Sequence, residues 1–369
     1  MSMNLAIIGA SYLQLPLIEK AKEIGYITHV FAWQVGDVGE KTADFFYPIS
    51  IVEKEEILAA CRKIGICGIC SIASDLAMLT VNYVADKLGL PGNSLDATAK
   101  STNKHLMRLA FEQNGDPSPK SILVDENTDL DSIRLTYPII VKPTDRSGSR
   151  GIFKLESNHG LKKAVSSAMM QGFEKKALIE EYVEGEEYSV EYISYRGEHC
   201  FLALTQKYTT GAPHFIETGH LQPAHVSMDV LEQIKLIVPH ALDSLGIENG
   251  ASHTELKITE DGSIRLIEIG GRMGGDCIGS DLVCYSTGYD YVKMVIDVAC
   301  GKKPNFSKIM QPAPIAIKYV VNEDDLEEFN LLQRNHPDKI VRIVKDIHSE
   351  IFREITDSSN RTGCYLYRP

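Results

Sequence analysis

Glu255 and Glu268 stand in two apolar runs that flank Asp261-Gly262. Asp-Gly between such runs is the strongest short-range signal for a two-residue hairpin turn. Counting outward from that turn pairs Glu260 with Ser263 and sets Glu255 directly opposite Glu268. Opposed residues project to one face with Cβ atoms about 4.5–5.5 Å apart. Two carboxylates held that close among Ile and Leu neighbours repel each other and are costly to desolvate. A cation between them resolves the conflict, and hard divalent ions such as Mg2+ prefer carboxylate oxygens. An ordinary exposed hairpin with two solvated glutamates is the competing reading.

Upstream lie groups suited to phosphate. Tyr137-Pro-Ile-Ile-Val-Lys142-Pro143 is a strand with one lysine near its end, and Thr-Asp-Arg146-Ser147-Gly148-Ser149-Arg150-Gly151 follows it. A loop of glycine, serine and arginine between two strands offers backbone N–H groups and cations to phosphate oxygens. Solvated surface lysines are the ordinary case, but Lys142 lies inside a β run between Val141 and Pro143. Further on, Glu180-Glu181-Tyr182-Val183-Glu184-Gly185-Glu186-Glu187 ends one strand and starts another. A carboxylate there suits a ribose diol, since it accepts two hydroxyl hydrogen bonds.

The elements that must carry these groups follow from periodicity. Residues 4 to about 95 alternate strand (5–8, 28–31, 66–72) with helix (15–24, 54–63, 75–88), which implies a parallel sheet with crossover helices. Gly9-Ala10-Ser11 can form a phosphate- or substrate-facing turn, but the later glycines of a dinucleotide fingerprint are missing. Leu90-Pro91-Gly92-Asn93 opens a new region with a helix over 94–114. The pattern then predicts a helix near 160–171, a hairpin over 188–209, a polar turn-rich segment at 215–223, a helix over 230–245 and another at 289–300. Strands at 316–321 and 340–345 and a final Gly363-Cys-Tyr-Leu-Tyr strand close the chain.

Composition bounds the function. The chain has 369 residues, enough for two or three domains, with ordinary hydrophobic (44%) and charged (24%) content. A net charge of −12 argues against a nucleic-acid or anionic-membrane surface. No stretch approaches the roughly 18 apolar residues of a membrane span, and no signal peptide is expected. The eight scattered cysteines suit reduced thiols and a cytoplasmic protein. Cys67-Gly-Ile-Cys70 lies in an apolar run without a second pair to complete a zinc site.

These pieces, in this order, resemble the ATP-grasp superfamily of carboxylate–amine ligases over essentially the whole chain. The resemblance implies an α/β (α+β) architecture: a Rossmann-like parallel-sheet domain over 1–93, a two-subdomain ATP-grasp module over 94–310 with a lid at about 116–183, and a small β-containing unit over 311–369. It implies that Lys104 and Lys142 contact ATP phosphates and that Ser147, Gly148 and Ser149 belong to the closing loop. Glu180, Glu181 and Val183 would border adenine, and Glu187 would hold ribose. Glu255 and Glu268 would hold Mg2+, or Mn2+ in its place. Arg272 would lie beside the transferring phosphoryl group.

Where the family usually carries asparagine two residues after the second metal glutamate, this chain has Gly270. Within the superfamily the chain is most similar to L-amino-acid ligases that make dipeptides, through Glu217-Thr-Gly-His220 and the loop Gly274-Gly275-Asp276. The substrates implied are a small-molecule carboxylate and an amine, and a homodimer is usual among such proteins. A purine-pathway-like or biotin-carboxylase-like enzyme with another acceptor is one competing reading. A non-catalytic ATP-binding module is the other.

Overall fold

The computed structural model describes residues 3–212, 215–347, 361 and 363–369. The N-terminal alternation produces β1 (Asn4–Ile8), α1 (Leu15–Glu23), β2 (Ile27–Phe31), α2 (Val38–Thr42), β3 (Phe45–Tyr47), α3 (Lys54–Ile64), β4 (Gly68–Cys70) and α4 (Asp75–Leu88). The strands form a parallel sheet in the order β3-β2-β1-β4. The short pair α2 and β3 has no periodicity long enough to be read from sequence.

The helix expected over 94–114 is two helices, α5 (Leu95–Thr102) and α6 (Lys104–Asn114). Asn103 breaks it by adopting an extended conformation, and its side chain accepts from the backbone N–H groups of His105 and Leu106. An asparagine cap of this kind satisfies donors that a helix start leaves open. The break also brings the Lys104 N–H onto the Thr144 carbonyl at 2.8 Å, anchoring α6 beside the loop that follows Lys142.

A second sheet, β5-β8-β6-β7, is antiparallel and is built from β5 (Ser121–Val124), β6 (Ile139–Pro143), β7 (Phe153–Leu155) and β8 (Ala177–Glu181). Helix α7 (Leu161–Gln171) covers it through Leu161, Ala164, Val165 and Ala168.

The remaining strands make one eight-stranded sheet. They are β9 (Glu186–Tyr195), β10 (Glu198–Thr209), β11 (Glu217–Gln222), β12 (Gly250–Ile258), β13 (Ile264–Gly270), β14 (Ile315–Val320), β15 (Ile340–Lys345) and β16 (Gly363–Tyr367). Their order is β13-β12-β9-β10-β11-β14-β16-β15. The segment read as polar and turn-rich is therefore strand β11. Its backbone is held on both sides, by β10 and by β14, and neighbouring ladders override the polar composition that argued for a loop. Residues 311–369 contribute their three strands to this same sheet.

Helices α8 (Met228–Leu245), α9 (Val283–Thr287), α10 (Tyr291–Ala299) and α11 (Glu323–Asn335) complete the fold. None of the described helices is long and apolar enough to cross a membrane.

Alternation along the strands divides the large sheet into two chemistries. On one face Tyr188, Val190, Tyr192, Leu204, Leu256 and Leu266 pack against α6 and α8. The other face carries Glu187, Ser189 and Glu191 from β9, Lys207 from β10, His220 from β11, and His253, Glu255 and Lys257 from β12. The register aligns Lys257, Glu187, Lys207 and His220 in one row. This polar face is where the chemistry collects.

Asn103→Ala should lower stability by about 1 kcal/mol, read from the denaturation midpoint at unchanged slope. A wild-type midpoint would show that the α5–α6 break does not depend on this cap.

Candidate active site

The hairpin reaches the expected pairing by a different route. Its loop has three residues, Glu260–Gly262, closed by the Thr259 N–H on the Ser263 carbonyl at 3.0 Å. Gly262 sits at φ +80°, where only glycine is relaxed. The shorter register pairs Ile258 with Ile264 and Leu256 with Leu266, and a bulge at Ile267 then restores Glu255 opposite Glu268. The loop shifts the register by one residue and the bulge shifts it back.

Between the two antiparallel sheets lies a cleft. Its walls include Lys104, Lys142, Ser149, Glu180, Glu181, Val183, Glu187, Lys207, Glu217, Glu255 and Glu268. Nearly all of the phosphate- and nucleotide-side residues singled out from sequence thus meet in one place. Ser147 and Gly148 share the loop with Ser149 but lie outside the cleft lining. Ser149, at φ +58°, donates from Oγ to the Phe215 carbonyl at 3.1 Å and ties that loop to the approach to β11.

Most of the charges in the cleft have a counter-charge. Lys142 Nζ lies 2.6 Å from Glu180 Oε2, and Arg108 Nε lies 2.9 Å from Glu180 Oε1. All three side chains are buried. Burial pushes the Glu180 carboxyl up, but Arg108 and Lys142 outweigh it and hold it below its ordinary value. Burial likewise lowers Lys142, with Glu180 opposing. Glu180 borders the cleft as expected, but its carboxylate is engaged by these two cations.

Glu268 accepts from Lys104 Nζ at 2.8 Å, and the same ammonium donates to the Arg146 carbonyl at 2.7 Å. Glu255 accepts from Lys207 Nζ at 2.6 Å, with His253 Nε2 at 3.5 Å. Burial raises the Glu255 carboxyl, but Lys207 and His253 together hold it well below the usual carboxylate range. Lys207 also lies 3.7 Å from Glu217, and Lys257 lies 3.3 Å from Glu187.

The donor set suits a hard divalent ion, because two carboxylates converge on one cleft wall with lysines as interchangeable counter-charges. Among the described residues no group of three or more His, Cys, Asp or Glu side chains forms a cage of its own. An ion here would complete its shell with phosphate and water oxygens, as Mg2+ commonly does.

Just beyond the Glu255–Glu268 hairpin, Arg272 is fixed by Asp75, with Nε–Oδ1 at 2.8 Å and Nη2–Oδ2 at 2.9 Å. Gly274 is required by crowding, since a Cβ there would lie 2.5 Å from Glu191 Oε1 and 2.7 Å from His253 Nδ1. Glu191 bonds His253 Nδ1 through one oxygen and accepts the Gly274 N–H at 3.0 Å through the other. Glu217 and His220 are not brought together as an open pair. Glu217 faces the cleft, whereas His220 is 1% exposed, 3.7 Å from Asp276 and edge-on to Tyr319. Burial lowers the His220 imidazole, with Asp276 opposing. Asp276 is itself held in a two-bond pair by Arg361, at 2.8 and 2.7 Å.

Comparison with known sequences matches residues 135–281 to the ATP-grasp domain. The match to the ATP-grasp domain is confined to that central segment. Alanine–anticapsin ligase of Bacillus subtilis is 27% identical over 312 residues, covering 74% of this chain and 65% of that protein. D-alanine–D-alanine ligase of Hydrogenovibrio crunogenus is 27% identical over 201 residues, covering 51% and 62%. The chain thus spans just under two thirds of the length of these curated relatives. Among solved structures, the L-amino acid ligase of Bacillus licheniformis superposes with a TM-score of 0.83 at 23% identity, over 99% of this chain and 92% of that one. Phosphoribosylglycinamide synthetase of Anaerococcus prevotii gives 0.76 at 22%, over 99% and 93%. Both likenesses establish the fold.

Two charged residues of the ATP-grasp cleft escape a motif reading. Arg108 lies four residues after Lys104 on α6, so both occupy one buried helix face, and that spacing was the available signal. Asp75 sits just beyond the carboxyl end of β4, where parallel sheets gather their ligand-facing groups.

Glu180→Gln leaves two buried cations without their carboxylate and should cost on the order of 3–5 kcal/mol near neutral pH. Because the folded Glu180 carboxyl is held below its ordinary value of 4.5, its stabilisation is present above that value and is lost as pH falls through the lowered one. Denaturation midpoints of wild type and variant should therefore differ at pH 7 and converge in acid; a pH-independent gap would refute the ion-pair account.

Proposed function

We propose that this chain is an ATP-dependent, ADP-forming carboxylate–amine ligase, with amino acids foremost among its substrates. One observation carries the reading. Paired Glu255 and Glu268 share a single cleft with buried Lys104, Lys142 and Lys207, and Arg272 stands just beyond them. Such an inventory neutralises and positions phosphoryl groups and has no nucleophile–base pair for covalent catalysis.

In this reading the adenine edge lies against Glu181–Val183, with Glu180 beneath and Glu187 on the ribose hydroxyls. Lys104 and Lys142 exchange their carboxylate partners for phosphate oxygens, and the 147–149 loop closes over the β- and γ-phosphates. Mg2+, or Mn2+, held by Glu255 and Glu268 would supply charge neutralisation at the phosphates. The substrate carboxylate oxygen attacks the γ-phosphorus, the bond to the β-bridging oxygen breaks, and ADP leaves. Arg272 binds the resulting acyl phosphate. The amine then attacks the acyl carbon, the carbon–oxygen bond to phosphate breaks, and the nitrogen loses a proton, for which Glu217 is the cleft carboxylate at hand. Water must be excluded throughout, because it competes with the amine for the acyl phosphate.

The purine-type alternative uses the same cleft with a different acceptor. ADP release measured with pairwise amino-acid mixtures, and in parallel with bicarbonate and phosphoribosyl amines, separates the two. Release restricted to the latter would overturn the amino-acid assignment.

Glu268→Gln should abolish ADP formation in a folded protein, and full turnover would remove Glu268 from the metal site. Arg272→Ala should depress turnover far more than ATP affinity, as expected for a group that acts on the transferring phosphoryl rather than on the nucleotide.

A further inference from the structure

Gly270 occupies the position where the family resemblance leads one to expect asparagine, and its surroundings give a physical reason. A Cβ at residue 270 would lie 2.8 Å from Asp75 Oδ1, 3.1 Å from Arg272 Nε and 3.2 Å from Arg272 Cζ. The volume that a side chain would fill is already taken by the Asp75–Arg272 pair. Asp75 comes from the N-terminal parallel-sheet unit, at the start of α4. The turn that delivers it is docked independently: Ala73, at φ +57°, donates its N–H to the Met273 carbonyl at 3.2 Å.

The geometry of the pair is specific. Asp75 engages the Nε–Nη2 edge of the guanidinium through both of its oxygens. A two-point contact to a planar fork fixes the direction of the group as well as its place, which a single bond to a point charge would not. It leaves the Nη1–Nη2 edge for an anion, with Nη1 near the Met273 carbonyl at 3.4 Å. Arg272 also lies in the field of Glu255 and Glu268. Without Asp75 it would be drawn toward those carboxylates and away from the position an acyl phosphate needs.

We propose that Asp75 is the positioning residue for Arg272 and that Gly270 is its necessary partner, so that the N-terminal unit supplies a carboxylate that aims the arginine just beyond the cleft. This rests on the reading of Arg272 given under Proposed function. Neither Asp75 nor Gly270 touches nucleotide in this account, so their effects should fall on turnover and spare nucleotide affinity.

The test compares Asp75→Asn, Gly270→Ala, the double variant and Arg272→Ala in the full chain, using ADP release with whichever substrate pair supports wild-type turnover. Asp75→Asn, nearly isosteric, should lower kcat by roughly ten- to a hundredfold, the scale of a small misplacement in a reacting site. Its KM for ATP should stay within about twofold. Gly270→Ala should do the same by crowding, and the double variant should be no worse than the more impaired single one, because both remove the same contact.

Wild-type kcat in Asp75→Asn alongside an inactive Arg272→Ala overturns the proposal and leaves the ligase reading standing. Multiplying defects in the double variant also overturn it. Full turnover in Arg272→Ala removes the reading underneath, and the proposal with it. A measurement free of turnover runs beside these: crystal structures of wild type and Asp75→Asn with ADP. A guanidinium swung toward Glu255 and Glu268 in the variant supports positioning, and one left in place refutes it.

Discussion

Charge in a low-dielectric cleft must be matched, and that constraint organises this molecule. The cleft between the two antiparallel sheets gathers glutamates and lysines that could not be desolvated singly. The fold pairs them: Glu255 with Lys207, Glu268 with Lys104, Glu180 with Lys142 and Arg108, Glu187 with Lys257. The pairing is modular. Under the proposed function, an incoming polyphosphate takes over lysines while a divalent ion takes over carboxylates, and both meet groups already held in place. The cost of assembling them is borne by folding, and binding exchanges partners among groups already desolvated.

Legibility in the sequence followed the length scale of each cause. The Glu255–Glu268 hairpin, the Lys142 strand and the parallel N-terminal unit rest on local periodicity and turn chemistry, and they stand where the residues placed them. Even so, the hairpin was legible only because two departures cancel, a three-residue loop and the Ile267 bulge. Sequence counting sees neither, since both depend on how β12 is held by β9 on its other edge. Strand β11 was illegible because its conformation is dictated by neighbours, and its polar residues serve the cleft (Glu217) or buried polar contacts (His220, Gln222). The break at Asn103 was missed for a related reason: a cap inside a continuous helical pattern matters only once Thr144 is there to receive the Lys104 amide.

The candidate site divides in the same way. Residues carried by motifs converge on the cleft, whereas those that hold the motif residues in place came from elsewhere in the chain. Arg108, Asp75, Glu191 and Arg361 each bind a charged partner distant in sequence. Nothing in their own neighbourhoods announces this. Gly270 shows the converse, where an apparent loss within a motif is explained by a carboxylate from another unit filling its space.

The order of strands in the large sheet bears on how the fold is reached. Strand β16 lies between β14 and β15, paired with both, although both precede it in the chain. Until β16 inserts, β14 has an open edge and β15 has no partner in the sheet. Synthesis delivers β16 last of these strands, and folding proceeds from the N-terminal side as a chain emerges. The polar face could thus be largely assembled by β9 to β13 while this border is still unzipped. A nascent or partly unfolded chain would then expose a sticky strand edge beside a nearly finished cleft. The hazard that follows is association through that edge.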